Sequence, residues 1–201
     1  MNTNFLEFLM SHGAELFEQL WEHIYLTLSG LLLSILVGVS LGMLMTRYRK
    51  ISSPVLGVVS VFQTIPSIAL LGILLPLVGI GAIPAIIALF LYGLLPIVRN
   101  TFTGIDKVDA AIVEAARGMG MTNSQILQQV TLPLALPVIF AGIRTAAVIN
   151  VGIATLCALI AAGGLGEFIF RGIALNNTQM ILAGALPAAL LALLMDLLFG
   201  L

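Results

Sequence analysis

Few residues of this 201-residue chain could do chemistry, and their spacing limits what that chemistry could be. His12 and His23 stand eleven residues apart with no cysteine beside them, so no metal-ligand cluster is expected. The single cysteine, Cys157, lies in an apolar run, where a thiol packs as a small hydrophobe, and alone it cannot close an intramolecular disulfide. The long apolar runs contain no paired carboxylates and no histidine, so a nucleophile with a neighbouring base is not available there. No Gly-x-x-x-x-Gly-Lys-Ser/Thr phosphate loop occurs, so ATP is not expected to bind by that route. The polar groups that remain are in two places. Gln63–Thr64–Ile65–Pro66–Ser67 interrupts an apolar run, and an internal polar segment, 100–133, contains Glu114–Ala115–Ala116–Arg117–Gly118–Met119–Gly120 and then Val130–Thr131–Leu132–Pro133. The chain is therefore expected not to be an enzyme, and to bind no metal or cofactor of its own.

Composition says what must position these residues. The chain is 60% hydrophobic and only 8% charged, against about 25% charged in an average soluble protein. A soluble surface cannot be built from that, so the expected solvent is the lipid bilayer. The net charge of −1 gives no reason to expect nucleic acid as a partner. The first residues lack a basic stretch and carry Glu7, Glu15, Glu18 and Glu22, so a cleavable signal peptide is not expected.

The apolar residues of 1–23 (Phe5, Phe8, Leu9, Leu16, Phe17, Leu20, Trp21) recur at helical spacing among acids. This reads either as an amphipathic helix lying along the membrane surface or as a lead-in to the first span. Residues 24–201 then read as one transmembrane domain with spans at about 24–45, 55–78, 84–98, 137–162 and 179–199. A helix needs about 20 apolar residues to cross roughly 30 Å of hydrocarbon. The turn between the second and third spans is expected at Gly79–Ile80–Gly81–Ala82–Ile83–Pro84. Gly30, Ser34, Gly38 and Gly42 make one small face, and Gly142, Ala146, Asn150, Ala154 and Ala158 another. Such faces let helices approach closely and indicate packing rather than chemistry.

Arg47, Arg49, Lys50, Arg99, Lys107 and Arg117 fall on one side of this arrangement, and Arg171 on the other. The positive-inside tendency then sets the N-terminus outside and the C-terminus inside. Arg144 reads as an anchor reaching the inner headgroups, or alternatively as a charge facing a cavity or an acidic partner. Gln63, Thr64 and Pro66 either line a pathway or mark a kinked, packed helix; Asn150 is a further candidate for the pathway.

Within the polar segment, Asp106 to Met119 has helix-forming composition, and Gly118 and Gly120 end it. A second short helix begins at Thr122, with Gln125 completing a capping-box pattern, and is expected to stop before Leu132–Pro133. Two short helices joined at glycine make a compact knob, which could dock into a partner's groove or be a structured loop only.

Glu114–Ala115–Ala116, then Gly120, Val130, Leu132 and Pro133, resembles the EAA signature of permease subunits of bacterial ABC importers. One position departs, with Val130 where isoleucine is usual. The segments Gln63–Ser67, Leu95–Thr101 and Gly163–Gly164–Leu165–Gly166–Glu167 resemble the osmoprotectant branch, which imports glycine betaine, carnitine and choline. The resemblance implies an all-α membrane protein of five spans, N-out and C-in, in a bacterial cell membrane, with 100–133 as a coupling loop. It implies a cytoplasmic ABC ATPase dimer as partner, carrying the ATP and Mg, with a second permease subunit and an extracytoplasmic substrate-binding protein. By the same resemblance, Glu114 pairs or caps at the ATPase interface and Gly120 allows the sharp turn. Ile126 and Leu127 fill the ATPase groove beside Ala115, Ala116, Val130, Leu132 and Pro133. An importer for another small solute such as an amino acid, or an ATP-independent channel, would be the alternative.

Overall fold

The computed structural model describes residues 5–200, so residues 1–4 of the N-terminal segment and Leu201 lie outside it. Every regular element among the described residues is helical. In chain order the α-helices are α1 (Phe5–Ser11), α2 (Gly13–Arg47), α3 (Ser52–Thr64), α4 (Ser67–Val78), α5 (Ala82–Asp106), α6 (Ala110–Gly118), α7 (Asn123–Gln125), α8 (Leu132–Cys157), α9 (Gly166–Ala174) and α10 (Thr178–Phe199), with short tighter or wider turns at Arg49–Ile51, Ile126–Thr131 and Ala158–Ile160. Four helical stretches, Gly13–Arg47, Ala82–Asp106, Asn123–Ile160 and Thr178–Phe199, are long and apolar enough to cross a membrane. The bent pair α3–α4 raises the number to five if it counts as one span.

The bundle is organised on α5, which packs along both α2 and α8 and also carries α3 and α4, while α2 and α8 touch each other. The first seam explains the small face of α2. A Cβ added at Gly30 would meet Leu89, one at Gly38 would meet Ile97, and one at Gly42 would meet Thr101. Between them, a Cβ at Gly93 would meet Ser34 Oγ at 2.5 Å. Leu89, Gly93, Ile97 and Thr101 are themselves four apart, so two i, i+4 rows face each other and the helix backbones come close. The Ser34 hydroxyl donates across the seam to the Phe90 carbonyl at 2.9 Å. The second small face does the same on α8, where a Cβ at Gly142 would come within 2.7 Å of the Pro96 carbonyl on α5.

Three boundaries differ from the sequence expectations. The N-terminal segment does not end at residue 23, because α2 runs without a break from Gly13 through the first span. Nothing between Gly13 and Arg47 stops a helix, and the acids on its first turns stay exposed or reach other elements. Glu22 accepts from the Gly164 amide at 3.2 Å, and Glu15 pairs with Arg171. The expected second span, 55–78, is instead two helices bent by 97° at Ile65–Pro66. Pro66 supplies no amide to the preceding turn, and it holds Ile65 in extended backbone (ψ 128). The third span continues past residue 98 and Arg99 to Asp106, so the polar segment begins a full two turns later than expected. The stretch left between the expected spans 137–162 and 179–199, which carries Glu167 and Arg171, contains the short helix α9. The turn between α4 and α5 falls where expected, with Gly79 and Gly81 both at positive φ (88° and 100°).

Arg144 is not a free interface anchor. Its guanidinium makes a bidentate pair with Asp196 of α10, with Nε to Oδ1 and Nη2 to Oδ2 both at 2.5 Å. Of the two readings, the acidic partner is the one the structure shows; Asp196 is remote in sequence, and the α8–α10 packing brings the two together.

Candidate functional site

Beyond the ends of α2 and α5, the polar segment folds as a knob, and the spacing of its motif has a local physical cause. Asp109 caps α6 by accepting from the Ala111 amide at 2.9 Å. At the other end, the Met121 amide donates to the Ala116 carbonyl (3.2 Å) and the Gly120 amide to the Arg117 carbonyl (3.0 Å). That is the paired closure of a Schellman motif, which requires a left-handed residue at Gly120, and φ there is +84°. The glycine four residues after Ala116 is thus the element that ends α6 and turns the chain. A Cβ at Gly120 would meet no atom within 4 Å, so backbone conformation rather than space selects glycine.

The turn leads into the expected capping box. The Thr122 amide donates to Gln125 Oε1 at 2.8 Å, and the Gln125 amide to Thr122 Oγ1 at 3.4 Å. The second helix then does not stop before Leu132–Pro133. It widens into a π-helical turn, Ile126–Thr131, in which the Leu132 amide reaches the Leu127 carbonyl, and it continues directly into α8. Pro133 has no amide for the Gln129 carbonyl, and at the start of α8 that loss is absorbed by the widened turn. The knob is therefore rigidly joined to a transmembrane helix on its C-terminal side.

The motif residues divide by exposure. Glu114, Ala115 and Pro133 are exposed, Met119 next to them is 76% exposed, and Leu127, Val130 and Leu132 are half-buried. Ala116 and Ile126 are buried within the chain, at 2% and 5% exposed. Ile126 is consequently turned inward and does not present itself to a partner's groove, because the continuous helix commits that face to the chain's own core. A pocket of about 360 Å³ separates α6 from the spans, with Glu114 and Arg117 on one wall. On the other wall Arg49 pairs with Asp106 at 2.6 Å, an ion pair that ties the α2–α3 connection to the end of α5.

The second candidate region lies at the α3–α4 break, far from the knob along α5. Gln63 Nε2 donates to the Tyr92 carbonyl at 2.9 Å, while the Tyr92 hydroxyl donates to the Ile65 carbonyl. Gln63 thus satisfies a mid-helix carbonyl of α5 whose i+4 residue is Pro96, and Tyr92 satisfies the carbonyl at the end of α3. Gln63, Thr64, Pro66, Ser67 and Tyr92, with Ile153 of α8, line an open pocket of about 360 Å³. Tyr92 was missed from sequence; a tyrosine within an apolar run carries one polar handle, which was the available signal. Asn150 does not belong to this pocket. It is fully buried with neither amide atom hydrogen-bonded, and it faces Gly93 on the interior side of α8. His23 is also interior, its Nε2–H donating to the Val151 carbonyl at 3.2 Å. Among the described residues no group of three or more histidine, cysteine or acidic side chains could hold a metal.

The architecture is thus a helical bundle with a glycine-closed knob fused to α8. Residues 30–201 match the model of a family described as binding-protein-dependent transport system inner membrane component. The chain belongs to that family. It is a permease subunit of an ABC importer, located in the inner membrane and not itself an enzyme. As such it works with an ATPase and a substrate-binding protein. It is 48% identical over 193 residues to the carnitine transport permease protein OpuCB of Listeria monocytogenes, covering 96% of this chain and 88% of that one. To the choline transport system permease protein OpuBB of Bacillus subtilis (strain 168) it is 44% identical over 191 residues, covering 95% and 88%. Among solved structures, an inward-facing conformation of the MetNI methionine ABC transporter superposes with a TM-score of 0.83 at 25% identity, covering 92% of each chain.

Proposed function

We propose that this permease subunit carries quaternary ammonium osmoprotectants, such as glycine betaine, carnitine and choline, into the cell by alternating access. The observation that carries this reading is the near full-length identity, 44–48%, to permeases named for carnitine and choline. Two permease subunits, identical or paralogous, enclose the pathway, and an extracytoplasmic binding protein delivers the cargo from outside. The basic end of the bundle, with Arg47, Arg49 and Lys50, faces the cytoplasm. There the exposed face of the knob, Glu114, Ala115 and Met119, sits in a cleft of an ABC ATPase dimer that binds the ATP and Mg. The α6 closure at Gly120 and the unbroken α7–α8 connection make the knob a stiff handle on the bundle, so its displacement by the ATPase moves the spans. Gln63, Thr64 and Pro66 border the pathway.

The test is uptake of labelled glycine betaine by cells expressing the complete importer, challenged with excess choline, carnitine or methionine. Competition by the quaternary ammonium compounds and none by methionine is expected. Competition by methionine alone would assign the importer to amino acids instead.

A further inference from the structure

The connection between α2 and α3 is short and basic, and neither the knob nor the pathway gives it a task. Arg47 ends α2, Tyr48 leaves the helix (ψ 72), and Arg49–Ile51 make one tight turn before Ser52 opens α3. Curled in this way, Leu44, Arg47, Tyr48, Arg49, Lys50 and Ile51 line a depression of about 510 Å³. It lies at the end of a helix long and apolar enough to cross a membrane. Tyrosine and basic side chains gather at that level, where hydrocarbon gives way to headgroups.

The walls of the depression differ in kind. Leu44, one turn back into the span, is 43% exposed, and the Tyr48 ring is 54% exposed. Arg49 is held by Asp106 at 2.6 Å, so its charge is already answered. Among the described residues Arg47 and Lys50 meet no carboxylate. The Arg47 guanidinium lies 5.9 Å from the centre of the Tyr48 ring, a contact that restrains it without neutralising its charge.

That combination selects its occupant. A soluble anion would meet the cations but gain nothing from Leu44, Tyr48 and Ile51. A zwitterionic headgroup would bring its ammonium beside cations, with no acid in the lining to receive it. A phospholipid of net negative charge matches both halves. Its phosphate is met by the Arg47 fork and the Lys50 ammonium, and its glycerol and first acyl carbons lie on the apolar wall. We propose that the α2–α3 turn is a binding site for an anionic phospholipid of the adjoining leaflet, its phosphate held by Arg47 and Lys50. Neither the cargo nor the ATPase enters this assignment. Arg49 lines both this depression and the pocket behind the knob, so the headgroup lies one side chain away from the coupling loop.

The experiment is native mass spectrometry of the assembled importer, purified in mild detergent, stripped of co-purified lipid and titrated with phosphatidylglycerol or phosphatidylcholine. The wild type is expected to take its first phosphatidylglycerol about tenfold more tightly than phosphatidylcholine. Arg47→Gln with Lys50→Gln removes both charges from exposed positions and should lose that preference. Arg47→Lys with Lys50→Arg keeps the charges and should keep the preference. Arg99→Gln, at an exposed cation of α5 outside the depression, should leave it unchanged, and excess inorganic phosphate should not displace the lipid. Equal binding of the two lipids by the wild type, an undiminished preference in the double glutamine variant, or an equal loss in Arg99→Gln would overturn the site. Displacement by phosphate would overturn it as well, by assigning the depression to a soluble anion.

Discussion

Gly120 shows at single-residue scale why a signature can be short and yet specific. Its φ of +84° closes α6, and open space surrounds it. An L-residue there pays about 1–2 kcal/mol of backbone strain, without a clash. Gly120→Asn, whose side chain tolerates the left-handed region, should therefore retain most transport, whereas Gly120→Val should lose most of it while still inserting in the membrane. Uptake measured at matched membrane abundance checks this, and equal activity of the two variants would contradict it. This position was legible in the sequence because glycine after a helix pattern has one common cause. Ile126 was not. Its apolar side chain fits a partner's groove and a core position equally well in sequence, and only the continuity of α7 into α8 decides for the core. The burial of Asn150 against Gly93 was not legible either, as polarity within a span says nothing about which face carries it.

Helices and their seams carry the next level. The α2–α5 seam was legible as a small face on α2, but its partner row on α5 was not, since only Gly93 there is small. A Cβ at Gly30 would stand 2.5 Å from Leu89 Cβ, so Gly30→Ala should cost about 1–3 kcal/mol through overpacking. Gly57, on α3 with nothing within 4 Å of its Cβ position, serves as the contrast; Gly57→Ala should be neutral or stabilise by about 0.4–1 kcal/mol. Thermal unfolding of the detergent-solubilised protein should separate the two, and equal midpoints would refute the seam as described. The Arg144–Asp196 pair joins α8 to α10 at long sequence range, which is why the sequence left an inner-interface anchor and an acidic partner both open for Arg144. Asp196→Asn is expected to lower the thermal midpoint by a small but measurable amount, and the exchange Arg144→Asp with Asp196→Arg to recover part of it. No change in either variant would mean that the pair does not hold the helices together. The break of α3–α4 was half legible: Pro66 announced a kink, but not the 97° angle nor the bonds from Gln63 and Tyr92 that tie the break to α5.

For the whole molecule, composition and periodicity were enough to give a membrane bundle with a polar knob, because lipid demands long apolar helices and tolerates few charges. What they could not give is how the knob is attached. The sequence suggested a second short helix that stops before Leu132–Pro133, whereas the structure fuses it to α8 and pins the neighbouring connection through Arg49 and Asp106. This rigidity is what makes force transmission from an ATPase to the spans physically reasonable. Ala115 offers the most direct probe, being exposed on α6 and replaceable by arginine, a good helix former, without disturbing the knob's own fold. The measurement is ATP-dependent accumulation of glycine betaine in proteoliposomes containing the assembled importer, wild type against Ala115→Arg. The account predicts accumulation only with ATP in the wild type, and near-complete loss in the variant despite normal insertion; ATP-independent accumulation, or undiminished uptake by Ala115→Arg, would contradict it.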